Sequence, residues 1–398
     1  MDAFLLDALG LLLRWAHVVV GIAWIGASFY FIWLDNHLEP AAREADSARG
    51  VGGELWAIHG GGIYHAQKYR LAPESLPATL HWFKWEAYWT WMTGFALLVL
   101  VYYAGAEVYL IDPARMALAK WQAIGIGLAF LFGGLVVYEG LCRSPLGKND
   151  RALAAVLAVL LALAAWGLMQ VFSARGAFIH FGAILATIMA GNVANVIIPG
   201  QRALVRAVSA GLAPDPAHAQ RAKQRSVHNT YFTLPVIFTM ISGHYAGIYG
   251  HAQAWIALLL ITAAGALIRV WFVQRHKGNA QPAVLVAGLV ALAAAALLVT
   301  PRAATPGAAA PSASFAQVRQ IVAARCLSCH AEHPTQAGFP AAPKGIALET
   351  PEQILRHAAQ VHQQSSVTRV MPPGNLTAIT EDERRLLDAW FRNGAKGE

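Results

Sequence analysis

The chain has 398 residues, of which 57% are hydrophobic and 13% charged, about half the roughly 25% charged share of a soluble domain. Such a composition belongs to a polytopic membrane protein or to a chain that contains one. The net charge of +8 is split unevenly, with 20 Lys/Arg against 14 Asp/Glu in residues 1–301 and 10 against 8 in residues 302–398; no basic stripe marks a soluble face, so nucleic acid is excluded as a partner.

The N-terminus reads Met1-Asp2-Ala3-Phe4, with Asp7 close behind. It lacks the basic region of a cleaved signal peptide, so the first apolar run is expected to stay as a helix. Eight apolar stretches come near the roughly 20 residues that cross a bilayer as a helix: 9–34, 87–104, 121–139, 152–173, 177–198, 230–249, 252–273 and 282–300. With the N-terminus outside, the inner loops hold 15 Lys/Arg, among them Arg43, Lys68, Lys148, Arg225 and Lys277, and the outer side holds 4, namely Arg14, Arg115, Lys120 and Arg175. This asymmetry sets both termini on the outer face of a bacterial inner membrane, with the lipid bilayer itself as a partner. Trp82, Trp85, Trp89 and Trp91 read as an interfacial belt.

Residues 301–313, PRAATPGAAAPSA, read as a semi-rigid Pro/Ala linker. Beyond it the composition becomes that of a soluble unit, residues 314–398. A short amphipathic helix is expected from Phe315 to Ala324. Thr350-Pro351-Glu352-Gln353 is a capping box with Pro at the first helical position, opening a helix to about His362. Thr380-Glu381-Asp382-Glu383 is another, opening a helix whose Leu386, Leu387, Trp390 and Phe391 share one face. The expected fold is all-α: an eight-helix transmembrane bundle over residues 1–300, then a small all-α cytochrome c domain.

The cytochrome assignment rests on Cys326-Leu327-Ser328-Cys329-His330. Two thiols on one helical turn can add to the two vinyl groups of one haem, and the adjacent histidine then lies under the iron. A zinc half-site is the competing reading, but it needs two further ligands and this region has no other cysteine. The sixth iron ligand is expected to be Met371, held in the stiff segment Val370-Met371-Pro372-Pro373-Gly374-Asn375; His333, His357 and His362 are the alternatives to it. Covalent haem attachment occurs outside the inner membrane, in agreement with the periplasmic tail that the loop charges place there. Cys142 has no assigned role.

Polar groups within a span are costly and mark functional sites or interhelical contacts. His17, His180 and His244 lie toward the outer face and read either as hydrogen-bonding residues or as ligands of a second, b-type haem or a charge relay. Glu139, Asn192, Asn195, His228, Asn229 and Arg269 lie toward the inner face. They read either as packing contacts, with Arg269 paired to Glu139, or as a pocket for a polar anion. The loop His59-Gly60-Gly61-Gly62-Ile63-Tyr64-His65-Ala66-Gln67-Lys68 could fold back onto that set. His59, His65 and His228 are the candidate bases and Lys68 and Arg269 the candidate anion contacts. The glycine run is not a phosphate loop, because neither G-x-G-x-x-G nor the P-loop pattern is present.

Arg14-Trp15-Ala16-His17 through Trp24-Ile25-Gly26-Ala27-Ser28-Phe29-Tyr30, the segment Trp56-Ala57-Ile58-His59-Gly60-Gly61-Gly62, and Cys326 to His330 together resemble the bacterial membrane-bound urate oxidase (urate hydroxylase) family, in which an eight-span domain is fused to a C-terminal cytochrome c. The resemblance implies that urate is hydroxylated by water to 5-hydroxyisourate in purine degradation. Electrons would pass through the c-haem to a soluble or membrane-bound cytochrome or a terminal oxidase, without hydrogen peroxide as a product. The alternative is a membrane cytochrome that relays quinol electrons to an oxidase and performs no substrate chemistry.

Overall fold

The computed structural model describes residues 3–300, 313–336 and 339–397. Most of the expected linker, residues 301–312, lies outside the described residues.

Helix α1, Ala3–Asn36, has 34 residues and is about 51 Å long at 1.5 Å per residue, longer than the roughly 30 Å hydrocarbon core of a bilayer. Leu11, Trp15 and Ile22 stand exposed along it, as on a lipid-facing surface. A β-hairpin follows, β1 (Val51–His59) paired antiparallel with β2 (Gly62–Tyr69). Here the chain departs from the all-α expectation, and the loop expected to fold back onto the bundle is a paired ribbon instead. Gly60 and Gly61 both have positive φ (57° and 80°), the two-residue turn geometry that matches the twist of a hairpin.

The bundle continues with α2 (Trp85–Leu97), α3 (Lys120–Arg143), α4 (Asp150–Val171), α5 (Ala174–Ser209), α6 (Pro216–Ile241), α7 (Ala254–His276) and α8 (Pro282–Val299). Among the described residues, six helices are long and apolar enough to cross a membrane: α1, α3, α4, α5, α7 and α8. The other two expected spans are helical but shorter in apolar length. After Leu97 the chain winds on as a wider turn, Leu98–Tyr103. In α6 the first half carries Arg221, Lys223 and Arg225, so only the second half is apolar.

Helix α5 is the axis of the bundle and packs against α3, α4 and α6. Its Phe178, Phe181 and Leu185 are fully buried with Leu131, Tyr138, Leu168 and Phe172. Small residues let the helices meet closely. A Cβ at Gly127 would stand 2.7 Å from His180 Nε2, and one at Gly182 would run into Thr239.

Past the linker, α9 (Phe315–Arg325), α10 (Leu327–His330), α11 (Pro351–Arg356) and α12 (Glu381–Arg392) form a separate apolar cluster around Val318, Val322, Ile354, Leu387 and Trp390. Both expected capping boxes form: the Gln353 N–H donates to Thr350 Oγ1 (3.3 Å) and the Glu383 N–H to Thr380 Oγ1 (3.2 Å). The C-terminal unit rests on the bundle through the loop 368–375. A Cβ at Gly250 would stand 2.2 Å from the Thr368 carbonyl, and one at Gly374 would stand 2.5 Å from the Ile111 carbonyl. Glycine at both places lets the two backbones touch.

Candidate functional site

In the C-terminal unit, α10 turns Cys326, Cys329 and His330 onto one short stretch. The Cys329 and His330 amides both donate to the Cys326 carbonyl, at 3.2 and 2.8 Å. Both thiols are free, and burial holds the Cys326 thiol up at about 12. His330 Nδ1 donates to the Ile346 carbonyl (2.8 Å). A carbonyl only accepts, so the proton sits on Nδ1 and Nε2 keeps its lone pair for a metal, an arrangement common to ligating histidines.

These three residues line a cavity of about 1830 Å³ together with Ile346, Leu348, Val361 and Met371. Met371 is fixed through its backbone: its amide donates to the Gln364 carbonyl (3.0 Å), and its carbonyl accepts from Arg384 Nη1 (2.9 Å). Among the alternatives to Met371, His362 is turned away, donating from Nε2 to Asp388 (2.7 Å) and stacking on Phe391. His333 is exposed. His357 lines the same cavity as Met371, with its Nδ1 buried and unpartnered. Two free thiols, an oriented imidazole, a thioether and an apolar wall are a donor set that fits a covalently held haem.

The same cavity runs on into the end of the helix bundle beneath the C-terminal unit. His17 and His244 line it, while His180 does not. His17 Nδ1 donates to Thr93 Oγ1 (3.0 Å), whose own hydroxyl donates to the Trp89 carbonyl (2.7 Å). A Cβ at Gly94 would stand 2.8 Å from the His17 ring. His180 is fully buried with both ring nitrogens engaged: Nδ1 donates to the Gly176 carbonyl (2.9 Å), and Nε2 bonds the Tyr103 hydroxyl (3.2 Å). It has no nitrogen left for iron in this arrangement.

Three arginines of the bundle also line this space: Arg14, Arg115 and Arg175. Arg115 pairs with Asp112 (3.2 Å). Arg175 Nε donates to the Tyr102 hydroxyl (3.1 Å), and its guanidinium lies over the rings of Tyr102 and Tyr109, 5.8 and 5.1 Å from their centres. Tyr102, Tyr109 and Tyr249 were not singled out in the sequence, and Arg175 was counted only among the outer loop charges. The available signal was an arginine two residues past the end of an apolar run, with no acidic residue nearby in the chain.

The expected inner set is brought together only in part. Tyr138 is its hub. The Tyr138 hydroxyl accepts from Asn192 Nδ2 (3.1 Å) and shares a hydrogen bond with His228 Nδ1 (2.8 Å). Asn192 Nδ2 also donates to Asn229 (2.8 Å). Glu139 pairs with Arg225 (2.8 Å) and Arg143 (2.6 Å) rather than with Arg269. Arg269 instead lies buried over the Phe29 ring, 3.8 Å from its centre. Asn195 is exposed, because the wide turn Val193–Ile197 rotates it off the face that Asn192 occupies. The cavity described above does not include this cluster.

The hairpin residues stand apart from both places. His59 is exposed at the turn. His65 Nε2 donates to Glu54 (2.9 Å), and its ring stacks on Trp56. The Ala42 N–H beside Glu54, assisted by His65 and Gln67, outweighs burial and holds the Glu54 carboxyl below its ordinary range. Lys68 pairs with Asp35, which Lys223 also approaches (3.8 Å). Lys68 therefore already has an anion.

The family described as urate oxidase N-terminal matches residues 3–300. No curated protein and no solved structure matches the chain.

Proposed function

The chain belongs to the urate oxidase N-terminal family, and from that premise we propose that it is a membrane urate oxidase that hydroxylates urate to 5-hydroxyisourate and sends the electrons out through a c-type haem. The reaction balances as urate plus water giving 5-hydroxyisourate, two protons and two electrons. A new C–O bond forms at the ring, a water O–H bond is broken, and no dioxygen is consumed or peroxide made. A cytochrome or a terminal oxidase of the respiratory chain takes the electrons.

The observation that carries this reading is the single cavity that joins the family-matched bundle to Cys326, Cys329, His330 and Met371. The first two residues would hold the haem covalently, and His330 and Met371 would ligate its iron. A haem bound there supplies a one-electron acceptor. The chain's own residues do the rest. The Ile346 carbonyl keeps His330 in the tautomer that ligates. Arg384 and Gln364 hold the backbone that presents Met371. The largely apolar wall supplies the low-polarity surroundings that a haem needs.

For the proton, His17 and His244 stand in the cavity that Cys326, Cys329 and His330 also line. His228 is placed in the opposite cluster with Tyr138. His59 and His65 sit on the hairpin, away from any wall of the cavity. We therefore place the base on the side of His17 and His244. A second, b-type haem is the competing use of the same two residues, since His180 is fully engaged and an iron-bound imidazole could not serve as the base. The loop charges favour the periplasmic side for this end of the bundle and for the tail.

The test is anaerobic. Urate is added to the purified full-length protein and the c-haem absorbance is followed. Reduction with 5-hydroxyisourate formed is the expected result. No reduction by urate beside rapid reduction by a quinol would replace this reading with that of an electron relay.

A further inference from the structure

We propose that Arg175 is the anchor of the anionic substrate, and that the substrate pocket is the bundle end of the cavity under the C-terminal unit; this rests on the urate reading above. The ligand class is a planar heterocyclic anion with adjacent ring acceptors.

The cavity holds six arginines: Arg14, Arg115, Arg175, Arg325, Arg369 and Arg384. Four are already matched. Arg115 pairs with Asp112, Arg325 with Glu383 and Arg369 with Glu381, while Arg384 donates to the carbonyls of Ser365 and Met371. Arg14 is exposed on α1. Arg175 is half-buried, and among the described residues it has no carboxylate partner; its polar contact is the Tyr102 phenol, through Nε alone. A guanidinium has five N–H donors in a planar fork. The terminal nitrogens of Arg175 are therefore free to bind a planar anion through two parallel hydrogen bonds.

The surroundings are shaped for that. Tyr102 and Tyr109 hold the guanidinium by their faces, so it is positioned without being neutralised. Gly243 lies beside the guanidinium, where a Cβ would stand 3.5 Å from Nε and 3.7 Å from Nη2, in ordinary contact with it. Tyr249 also lines the cavity, and the adjoining Gly250 touches the Thr368 backbone. Size agrees as well. A cavity of about 1830 Å³ exceeds the ~300–1,000 Å³ of a usual small-molecule pocket, leaving room for a second occupant beside a tetrapyrrole.

The two buried arginines toward the opposite end of the bundle lack these properties. Arg225 is matched by Glu139, and Arg269 is packed on Phe29 outside the cavity. Asn192 lies 17 residues beyond Arg175 on the same helix, about 25 Å along its axis. A substrate held there would be separated from Cys326 by most of the membrane, whereas one held by Arg175 shares a cavity with it.

The experiment uses the full-length, haem-loaded protein in detergent. Reduced with dithionite, it cannot oxidise urate, so urate binding is read at equilibrium by dialysis. Arg175→Gln is expected to weaken binding about 10- to 100-fold, and to raise KM far more than it lowers kcat at saturating urate. Arg175→Lys, which keeps the charge and loses the fork, should weaken it less but by at least about threefold. A dissociation constant within twofold of the parent for Arg175→Gln overturns the anchor while leaving the urate reading intact. A parent protein that neither binds nor oxidises urate overturns the reading and the anchor together. Should Arg175→Gln fail to accumulate with haem, unchanged affinity in Arg175→Lys overturns the anchor.

Discussion

Met371 and His357 share a wall with Cys326, Cys329 and His330, and the choice between them as an iron ligand is a question of donor chemistry. A thioether is a soft, neutral donor that raises the potential of a haem relative to a second imidazole. Both are held through their backbones, Met371 by Arg384 and Gln364 and His357 by Gln353 and Val361, so donor chemistry rather than anchoring decides between them. Met371→Ala is therefore expected to retain covalent haem, because both cysteines are untouched. It should lose the weak near-infrared absorbance of a sulfur–iron bond and lower the reduction potential. His357→Ala should leave that band in place. A band that survives in Met371→Ala and disappears in His357→Ala would reverse the assignment.

Helix α12 shows how an element is held by its first turn. Burial raises the Glu383 carboxyl, but the Thr380 N–H and the Arg325 guanidinium outweigh it, so the group stays below its ordinary range. Its folded-state pKa is thus depressed, and the stability it contributes is present above the unfolded value of about 4.3. That stability is lost as the pH falls through the lower, folded value. Glu383→Gln keeps a capping acceptor and removes the charge opposite Arg325, which lies 3.1 Å away. It should lower the stability of the C-terminal unit by about 1 kcal/mol at neutral pH and by nothing measurable below the folded pKa. Thermal melts of the purified protein at both pH values check this; an equal loss at each would show that the charge is not what matters. The two capping boxes were legible because they are local: Thr350 with Gln353 and Thr380 with Glu383 each need only a spacing of three. The hairpin was equally local, with a Gly60-Gly61 turn between runs rich in Trp, Ile and Tyr, yet the glycines read as an open loop. Cross-strand pairs such as Trp56 with His65 depend on that turn geometry. The π-type turns at Leu98–Tyr103 and Val193–Ile197 left no mark in apolar periodicity, and the second of them sends Asn195 outward.

At the scale of the whole molecule, the shared cavity exists only where two parts of the chain far apart in sequence come to rest on each other. No spacing rule could have placed Arg175 and Met371 on one cavity, because their sharing it depends on loop 368–375 settling on Gly250 and Ile111. That contact makes Gly250 a test of the proposed path. A Cβ there would stand 2.2 Å from the Thr368 carbonyl and 2.9 Å from Val370, so even alanine forces the C-terminal unit off its seat. Gly250 does not have positive φ, so alanine brings no left-handed strain of its own. It lines the shared cavity but is itself neither a haem-binding residue nor the proposed anchor. Gly250→Ala should keep haem attachment and chemical reduction by dithionite, and is assayed at saturating urate so that any change in binding does not enter the rate. Urate-driven reduction of the haem should fall by roughly tenfold or more, as expected when donor and acceptor are displaced by about an ångström or more. Stopped-flow reduction by urate under anaerobic conditions, compared with reduction by dithionite, separates the two steps. If urate reduces the variant as fast as the parent, the electron does not depend on the seating of the C-terminal unit, and the shared cavity is not its route.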